Sequence, residues 1–452
     1  ATMAFKVLLA ALAAATIISC SFALSPNHRV FRTAANLGPE TVPNWSGYIG
    51  TGSNHSAQLF YWFFESRGNP ATDPIILWMT GGPGCSGMLA LLEENGPYHV
   101  MPDMSLSLNP YSWNEAASVI WIDQPVGSGF SYNSQPWAPG VSTEKGVAED
   151  MSDFLHTFFG DFANYTQQPF HVVGESYAGH YVPAVTARIL DDNAAGVSPK
   201  LNLKGAAIGN GLVDPLLQFA DYAQYALDHH VINEKTYGLM KSTVPMCQGL
   251  IEACNNTSPL GGEECVLATE MCETTQLMPI TLSGINPYDA RKNCTVPPLC
   301  YNFSDVTTYL NLPHVMEALG TTGHAWSSCN RLVNLGFVMA GDWVQSYQKD
   351  VAKMLEAGHP VLVYSGEDDI ICNWYGGQHW THNMTWPGRS AFVSAANTTW
   401  TGPAGDEAGT AISAQGFTFL RVARAGHMVP KDQPENALDL VKRFLSGKPF
   451  SG

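Results

Sequence analysis

Basic residues are scarce in this sequence of 452 residues. Lys and Arg number 22 against 39 Asp and Glu, so the formal net charge is −17 with neutral histidines. Binding to nucleic acid or to an anionic membrane surface depends on clustered positive charge, and the shortage argues against both partners. The high charge of disordered chains is missing too, because charged residues make up 13% of the chain and hydrophobic residues 45%. The chain can bury a sizeable core.

Long apolar runs are also lacking, apart from one near the N-terminus. The run over residues 7–18 follows Lys6, is short for a membrane span, and precedes Ser21-Phe22-Ala23, a small-x-small cleavage pattern. These features predict a signal peptide over residues 1–23, followed by a short N-terminal or pro segment over residues 24–42. A membrane anchor is the alternative. If the signal is cleaved, we expect no stable membrane insertion.

Nine N-x-S/T triplets without a central proline follow the apolar run. Behind a signal peptide they predict a secretory glycoprotein with N-linked glycans. We expect it outside the cell or in a vacuole- or lysosome-like lumen. The candidate acceptors are Asn44, Asn54, Asn164, Asn255, Asn256, Asn293, Asn302, Asn383 and Asn397.

The ten cysteines lack the C-x2-C pairs that zinc ribbons use, and we expect no metal. If Cys20 leaves with the signal peptide, an odd number of cysteines remains, and most of them crowd residues 247–300. In an oxidising compartment this crowding predicts disulfides that hold a loop-rich region, with one thiol left free. Spacing does not assign the partners, because eight paired cysteines allow about a hundred connectivities.

Internal repeats are absent, and short apolar runs alternate instead with amphipathic stretches. The candidate strands are Ile75–Trp78, Val119–Ile122, Phe170–Val173, Ala206–Gly209, Val361–Tyr364 and Phe417–Val422. Candidate helices are Glu144–Phe159, His180–Leu190 and Trp343–Glu356. This alternation predicts an α/β fold with a mostly parallel sheet covered on both faces. Residues 214–348 break the rhythm, and we predict there a disulfide-rich insertion (cap) subdomain within one domain over residues 43–452.

The strongest local motif is Gly174-Glu175-Ser176-Tyr177-Ala178-Gly179, between a candidate strand and a candidate helix. In an α/β-hydrolase fold, a serine flanked by small residues in this context is a nucleophile on a tight turn. An ordinary strand–helix turn is the alternative interpretation. We take Ser176 as the candidate nucleophile.

A nucleophilic serine needs a base and a group that orients the base. In this fold they follow in the order serine, acid, histidine, each after a later strand. Here Glu367, Asp368 and Asp369 follow one candidate strand, and His427 follows the last one. The pattern does not choose among the three acids.

An oxyanion hole requires two backbone amides aimed at the developing alkoxide. One candidate is the amide of Tyr177, directly after the nucleophile, and the other lies in Gly81-Gly82, where glycine permits a close approach of the backbone. A plain turn or a phosphate-binding loop is the alternative. The Walker pattern fails because no Lys-Ser/Thr follows the glycines.

Five motifs follow one another along the chain: Gly81-Gly82-Pro83-Gly84-Cys85-Ser86, Asp123-Gln124-Pro125-Val126-Gly127, Gly174-Glu175-Ser176-Tyr177-Ala178-Gly179, Ile208-Gly209-Asn210-Gly211 and Gly426-His427-Met428-Val429-Pro430. In these motifs and their order the sequence resembles the serine carboxypeptidase family. The resemblance covers residues 43–450, including the insertion.

The resemblance implies roles that the spacing leaves open. The catalytic acid would be Asp369, and the oxyanion donors would be the amides of Gly82 and Tyr177. Cys372 would be the free thiol, beside the acid and near the substrate but not the nucleophile. The implied disulfides are Cys85–Cys329, Cys247–Cys272, Cys254–Cys265 and Cys294–Cys300.

The family binds the substrate's terminal carboxylate with two glutamates, which the resemblance places at Glu94 and Glu175. Trp78 and Gly81 would belong to the same site. Thr80 stands where the family often has Asn, and a threonine hydroxyl donates only one hydrogen bond. Cys372 and Met428 would line apolar substrate subsites.

We therefore expect a cofactor-free serine carboxypeptidase of α/β-hydrolase fold, acting on peptide and protein C-termini at acid pH. It would prefer hydrophobic residues near the C-terminus and exist as a monomer or homodimer. One alternative is an acyltransferase of the same fold that uses ester donors, which Thr80 favours. Another alternative is a non-catalytic protective or binding protein. The presence of all three candidate catalytic residue types, serine, acid and histidine, argues against it.

Overall fold

The computed structural model describes residues 24–32, 37–52, 54–135, 137–138, 140–257 and 262–451. The predicted signal peptide lies outside the described residues. No helix among the described residues is long and apolar enough to cross a membrane.

A twelve-stranded sheet runs through the described part of the chain, in the order β1-β2-β3-β7-β4-β9-β10-β13-β16-β15-β14, with β8 paired to β3. Two small sheets, β5-β6 and β11-β12, lie apart from it. The strands are β1 His28–Arg32, β2 Asn44–Thr51, β3 Ala57–Phe64, β4 Ile75–Thr80, β5 Tyr98–Val100, β6 Leu106–Leu108, β7 Ser118–Ile122, β8 Tyr132–Asn133, β9 Phe170–Glu175, β10 Leu203–Gly209, β11 Ile285–Asn286, β12 Asp289–Asn293, β13 Val361–Gly366, β14 Thr398–Thr401, β15 Glu407–Ala414 and β16 Phe417–Val422.

The centre of the sheet, from β7 to β16, is parallel, and the strands at both edges are antiparallel. The six candidate strands are these six central strands, with small differences in their ends. Strand–helix alternation does not indicate the antiparallel β2–β3 pair, because a short connection without a helix joins these two strands. The mostly parallel α/β sheet expected from the sequence is confirmed.

Helices cover both faces of the sheet. They are α1 Gly87–Glu93, α2 Glu144–Asp161, α3 Ala178–Ala195, α4 Pro215–Gln218, α5 Tyr222–Asp228, α6 Glu234–Thr257, α7 Glu263–Cys272, α8 Met278–Thr281, α9 Ser304–Leu310, α10 Pro313–Leu319, α11 Arg331–Met339, α12 Gln348–Glu356, α13 Trp374–Asn383, α14 Arg389–Val393, α15 Val429–Asp432 and α16 Pro434–Ser446. A π-helical turn, Glu273–Leu277, links α7 and α8. The predicted helix at residue 343 begins later, at Gln348, after a 3₁₀ turn over Asp342–Val344.

Alternate side chains of β4 enter different cores. Leu77 packs with residues of α2 and α3 on one face, and Ile76 packs with residues of α1 and α16 on the other. This period of two is the pattern of a strand buried on both faces, and it explains the continuous apolar run in the sequence.

The ordered fold begins before the predicted domain boundary at residue 43. Strand β1 pairs with β2 along its whole length. His28 binds Asp161 through Nδ1 at 2.6 Å and the Tyr61 hydroxyl through Nε2 at 2.8 Å. The hydroxyl of Ser25 donates to Asp161 at 2.9 Å. The segment predicted as an N-terminal or pro segment therefore supplies an edge strand.

Between β10 and β13 the chain forms helices α4 to α12 and the β11–β12 hairpin, a small strand pair that the sequence did not reveal. Helices α5 to α8 enclose a core of their own, which includes Cys247, Cys254, Cys265 and Cys272. Within the described ranges there are four disulfides, and they join the pairs that the family resemblance implied: Cys85–Cys329, Cys247–Cys272, Cys254–Cys265 and Cys294–Cys300.

The candidate glycosylation sites differ in exposure. Asn44 is buried, accepts a hydrogen bond of 3.1 Å from the Trp62 indole and donates to the carbonyl of Val42, so the folded chain has no room for a glycan there. The side chain of Asn256 lies outside the described residues. The remaining acceptors are exposed: Asn54, Asn164, Asn255, Asn293, Asn302, Asn383 and Asn397.

Candidate active site

Ser176 lies on a tight turn between β9 and α3. Its φ of 67° is in the left-handed region, which is rare for residues other than glycine, and its amide donates to the Gly209 carbonyl at 3.0 Å. A Cβ atom at Gly174 would come within 2.6 Å of the Ala178 Cβ. The crowding explains why small residues flank the serine in the sequence motif.

His427 follows β16 and meets only one of the three candidate acids. Its Nδ1 lies 2.8 Å from Oδ2 of Asp369, and both side chains are almost fully buried. Asp368 instead lies 3.3 Å from the Arg291 guanidinium, and Glu367 lies 3.9 Å from Arg421. The structure therefore brings Asp369 to the imidazole.

Asn210, directly after β10, holds the same carboxylate. Its side-chain amide donates to Oδ2 of Asp369 at 2.8 Å, while the amide of Ile371 donates to Oδ1 at 3.1 Å. Asn210 belongs to one of the five family motifs, but the sequence alone indicates no role for it. Only its place at the end of a parallel strand could have pointed to the site.

The His427 loop is fixed by the β11–β12 hairpin. The His427 amide donates to the Tyr288 carbonyl at 2.8 Å, and the Gly426 amide donates to Asp432 at 2.7 Å. Asp432 in turn accepts from Arg291 at 3.0 Å. A hairpin between two helical segments thus positions the histidine.

The glycine loop after β4 lies against the serine turn. A Cβ atom at Gly81 would come within 2.4 Å of the Tyr177 amide nitrogen. Gly82 has a φ of 118°, and its carbonyl accepts from Asn334 at 3.2 Å. The two predicted oxyanion segments are therefore neighbours.

A cavity of about 670 Å³ opens over these groups. Ser176 and His427 line it together with Thr80, Glu94 and Glu175, and most of the remaining wall is apolar. Trp78 is fully buried and does not line the cavity among the described residues; instead its indole donates to the Thr80 hydroxyl at 3.0 Å. Because Thr80 accepts this bond, its own hydrogen is free to point elsewhere.

Glu94 and Glu175 form a buried pair of carboxyl groups in the same cavity as Ser176. Burial raises the pKa of Glu94 to about 7. Burial, and next the negative charge of Glu94, raise the pKa of Glu175 well above its ordinary value. One oxygen of each has no partner among the described residues. Two such groups can present a proton to an anionic ligand.

Cys372 is the one unpaired cysteine among the described residues, and it is buried. Its sulfur lies within 4.8 Å of a carboxylate oxygen of Asp369 and of a ring nitrogen of His427. Burial raises the pKa of the thiol well above its ordinary value, and the negative charges of Asp369 and Glu175 raise it further. The sulfur is therefore a neutral thiol, which is a poor nucleophile. Met428, beside His427, lines the same cavity.

Comparison with known proteins agrees with this geometry. The family model described as serine carboxypeptidase matches residues 36–447. Carboxypeptidase Y of Candida albicans is 42% identical over 93% of this chain and 77% of its own length. Carboxypeptidase Y of Saccharomyces cerevisiae is 41% identical over 90% of this chain and 76% of its own. A serine carboxypeptidase-like protein of rice is 40% identical over 90% of this chain and 94% of its own.

A solved structure supports the fold. The crystal structure of the prohormone-processing carboxypeptidase Kex1 from Saccharomyces cerevisiae matches with a TM-score of 0.81 at 24% identity, covering 92% of this chain and 96% of the other. The extent of the family match and the identity to curated relatives lead to one conclusion: the chain belongs to the serine carboxypeptidase family and is a serine-type carboxypeptidase of α/β-hydrolase fold.

Proposed function

We propose that this enzyme removes C-terminal residues from peptides through an acyl-enzyme on Ser176, most efficiently at acid pH. The observation that carries the proposal is the position of the Glu94–Glu175 pair in one cavity with Ser176 and His427. A peptide carboxylate bound by the pair puts the last peptide bond within reach of the nucleophile.

The proposed chemical steps use Ser176 and His427, which line the same cavity, and Asp369. The Ser176 hydroxyl attacks the carbonyl carbon, and His427 takes its proton. Asp369 accepts from Nδ1, so it holds the imidazole with Nε2 free and stabilises the imidazolium that forms. His427 then gives the proton to the leaving amine, and a water molecule releases the acyl group by the same route.

The oxyanion of each tetrahedral intermediate would be bound by the backbone amides of Gly82 and Tyr177. A missing oxyanion donor typically lowers kcat by about two to three orders of magnitude. The absent side chain at Gly81 allows the two segments to approach this closely.

The carboxylate site would favour exopeptidase action at acid pH. A protonated glutamate donates a hydrogen bond to the substrate carboxylate, whereas an ionised pair repels it. The Thr80 hydroxyl, already accepting from Trp78, can donate the further bond that an asparagine supplies in relatives. An ester or amide terminus would gain little from this site.

The preference for hydrophobic residues near the C-terminus rests on the cavity wall. An apolar side chain gains free energy by leaving water for such a surface, about 25 cal/mol for each Å² buried. Besides Cys372 and Met428, the apolar and aromatic lining includes Leu212, Phe219, Tyr222, Leu277, Tyr288, Phe303, Trp343 and Ile371.

Passage through the secretory pathway, with glycans on exposed acceptors, is part of the proposal. Four disulfides are typical of an oxidising compartment. Asn44 is not among the proposed glycan acceptors, because its side chain is buried. The final location, exterior or vacuole-like lumen, and the monomer or homodimer state stay predictions from the sequence.

A peptide-ladder digest tests the activity. Mass spectrometry of a free-acid peptide should reveal losses of one residue at a time from the C-terminus, and the C-terminal amide should be cut far more slowly. Ser176→Ala should fold normally and abolish the ladder. A glucose ester, offered with an acceptor alcohol, tests the acyltransferase alternative. Faster transfer than peptide hydrolysis would overturn the proposal.

A further inference from the structure

Tyr177 has a second feature besides its amide: a ring whose hydroxyl reaches a buried carboxylate far along the chain. The hydroxyl donates to Oδ1 of Asp342 at 2.9 Å. Asp342 is 4% exposed and begins the 3₁₀ turn that follows α11, in the segment between β10 and β13. Neither the sequence motifs nor the catalytic steps give this aspartate a role.

Asp342 accepts hydrogen bonds from three residues, of which Tyr177 is one. Its Oδ2 accepts from the Tyr347 hydroxyl at 3.0 Å and from the Glu144 amide at 2.9 Å, at the first residue of α2. Together with the Tyr177 bond, these contacts join the serine turn, α2 and the segment before α12. A carboxylate that accepts several buried hydrogen bonds is held in one orientation, and it holds its donors in turn.

The neighbour of Asp342 reinforces the same ring. Trp343 stacks on Tyr177 with ring centroids 4.9 Å apart, and His180 stacks on it at 4.5 Å. Tyr177 is thus fixed at its hydroxyl by one residue of the 3₁₀ turn and on its ring by the next. Rotation of the side chain would break both contacts.

The serine turn needs such support. Ser176, whose carbonyl carbon carries the Tyr177 amide nitrogen, has a positive φ, a conformation that the surrounding structure must hold in place. The Tyr177 amide must also stay beside Gly81, where a displacement of well under 1 Å changes the hydrogen bond to an oxyanion.

From these contacts we infer that Asp342 is a positioning residue for catalysis: by binding the Tyr177 hydroxyl it aligns the Tyr177 amide as an oxyanion donor. The inference rests on the proposed oxyanion role of that amide. The segment between β10 and β13, which contains Asp342, thereby influences how the transition state is bound, in addition to forming part of the cavity wall.

Two matched substitutions separate this role from a purely structural one. Tyr177→Phe and Tyr347→Phe each remove one hydroxyl that donates to Asp342, and each keeps its ring. Tyr177→Phe should lower kcat about tenfold while KM changes less than about twofold, because the amide acts in the transition state. Tyr347→Phe should lower the melting temperature about as much as Tyr177→Phe does, but it should keep kcat within about twofold of wild type.

Asp342→Asn and its double variant with Tyr177→Phe test the coupling. The double variant should have nearly the kcat of Asp342→Asn alone, because both changes break the same bond. In both, affinity for a peptide aldehyde, which forms a tetrahedral adduct with the serine, should fall in step with kcat/KM.

An unchanged kcat in Tyr177→Phe, or an equal loss of kcat in Tyr347→Phe, would overturn the inference. Failure of the proposed function looks different, since the wild-type enzyme would then not shorten the free-acid peptide at all. Circular dichroism and thermal melts establish that each variant is folded before its kinetics are compared.

Discussion

The side-chain amide of Asn210 donates a hydrogen bond of 2.8 Å to the oxygen of Asp369 that also binds His427. We expect Asn210→Gly to lower kcat about tenfold or more, since a hydrogen bond to a charged group contributes about 1.5–3 kcal/mol. Glycine tolerates the φ of 44° at this position, so the change removes the amide and leaves the backbone unstrained. Steady-state kinetics on one peptide measure the effect.

The control for that prediction is Asn210→Asp, which fits the same space but places a second carboxylate against Asp369. It should be more harmful than glycine at neutral pH, because two adjacent carboxylates repel each other. Equal activity of wild type and both variants would mean that Asn210 has no part in orienting the acid.

The carboxyl pair predicts how peptide cleavage depends on pH. Burial raises the pKa of both carboxyl groups, so the pair loses its proton only at a pH above the ordinary range of glutamate; it then gains negative charge and repels the substrate carboxylate. KM for a free-acid peptide should therefore rise with pH, while KM for its C-terminal amide stays flat.

Glu94→Gln combined with Glu175→Gln should flatten the pH dependence of KM, since an amide still donates a hydrogen bond and does not titrate. The measurement is KM against pH for the matched acid and amide in wild type and variant. A parallel rise of KM for both substrates would exclude the pair as the carboxylate sensor.

The free thiol predicts sensitivity to bulky mercurials. Cys372 lines the cavity, so a mercurial bound to its sulfur should obstruct the substrate and inhibit the native enzyme. Cys372→Ser should keep appreciable activity and lose the sensitivity, because the thiol does no chemistry. Thiol titration of the denatured, unreduced mature chain, which lacks Cys20, should find one reactive group. Its position is checked by peptide mapping, and Cys372 in a disulfide would contradict the pairing.

Global stability should fall as the pH rises above about 6.5. Glu144 is buried with both carboxylate oxygens unpaired among the described residues, and burial, then the charges of Asp342 and Asp350, raise its pKa well above the ordinary value. Between its unfolded pKa and its raised folded pKa, a carboxyl is protonated only in the folded state, and each pH unit in that window lowers the free energy of unfolding by about 1.4 kcal/mol. Glu175 and Asp123 add to the same trend.

Buried histidines act in the opposite sense, but only at lower pH. Burial lowers the pKa of His28, His171 and His180, so their contribution to stability is lost as the pH falls below the ordinary value of 6.5. Above that value the carboxyls dominate. Glu144→Gln should therefore reduce the drop in melting temperature between about pH 6.5 and 8. The same drop in variant and wild type would remove Glu144 from the explanation.

The central sheet could be predicted from the sequence because most of its parallel strands are buried along nearly their whole length and therefore form short continuous apolar runs. Strand β16 has the predicted bounds, Phe417–Val422. Strand β1 was missed because His28 and its neighbours do not form an apolar run, and their place depends on pairing with β2. Local pattern carries little information about edge strands.

The residues of the candidate site also differ in how far the sequence alone could identify them. Ser176 and His427 follow strands and carry local motifs, so the sequence located them as candidates. Asp369 differs from Glu367 and Asp368 only in which partner its carboxylate meets, and the residues alone left that open. Asp342 has no local signal, because its importance comes from donors more than a hundred residues away.

The bridge between Cys85 and Cys329 joins the glycine loop to the chain just before α11. The Ser86 amide donates to the Ser328 carbonyl at the same junction. In a reducing compartment these cysteines would stay apart, because cellular thiols keep them reduced. We therefore expect a chain that stays in the cytosol to have a more mobile glycine loop and low peptidase activity. Formation of the disulfide would then activate the enzyme only after it has been separated from cytosolic proteins.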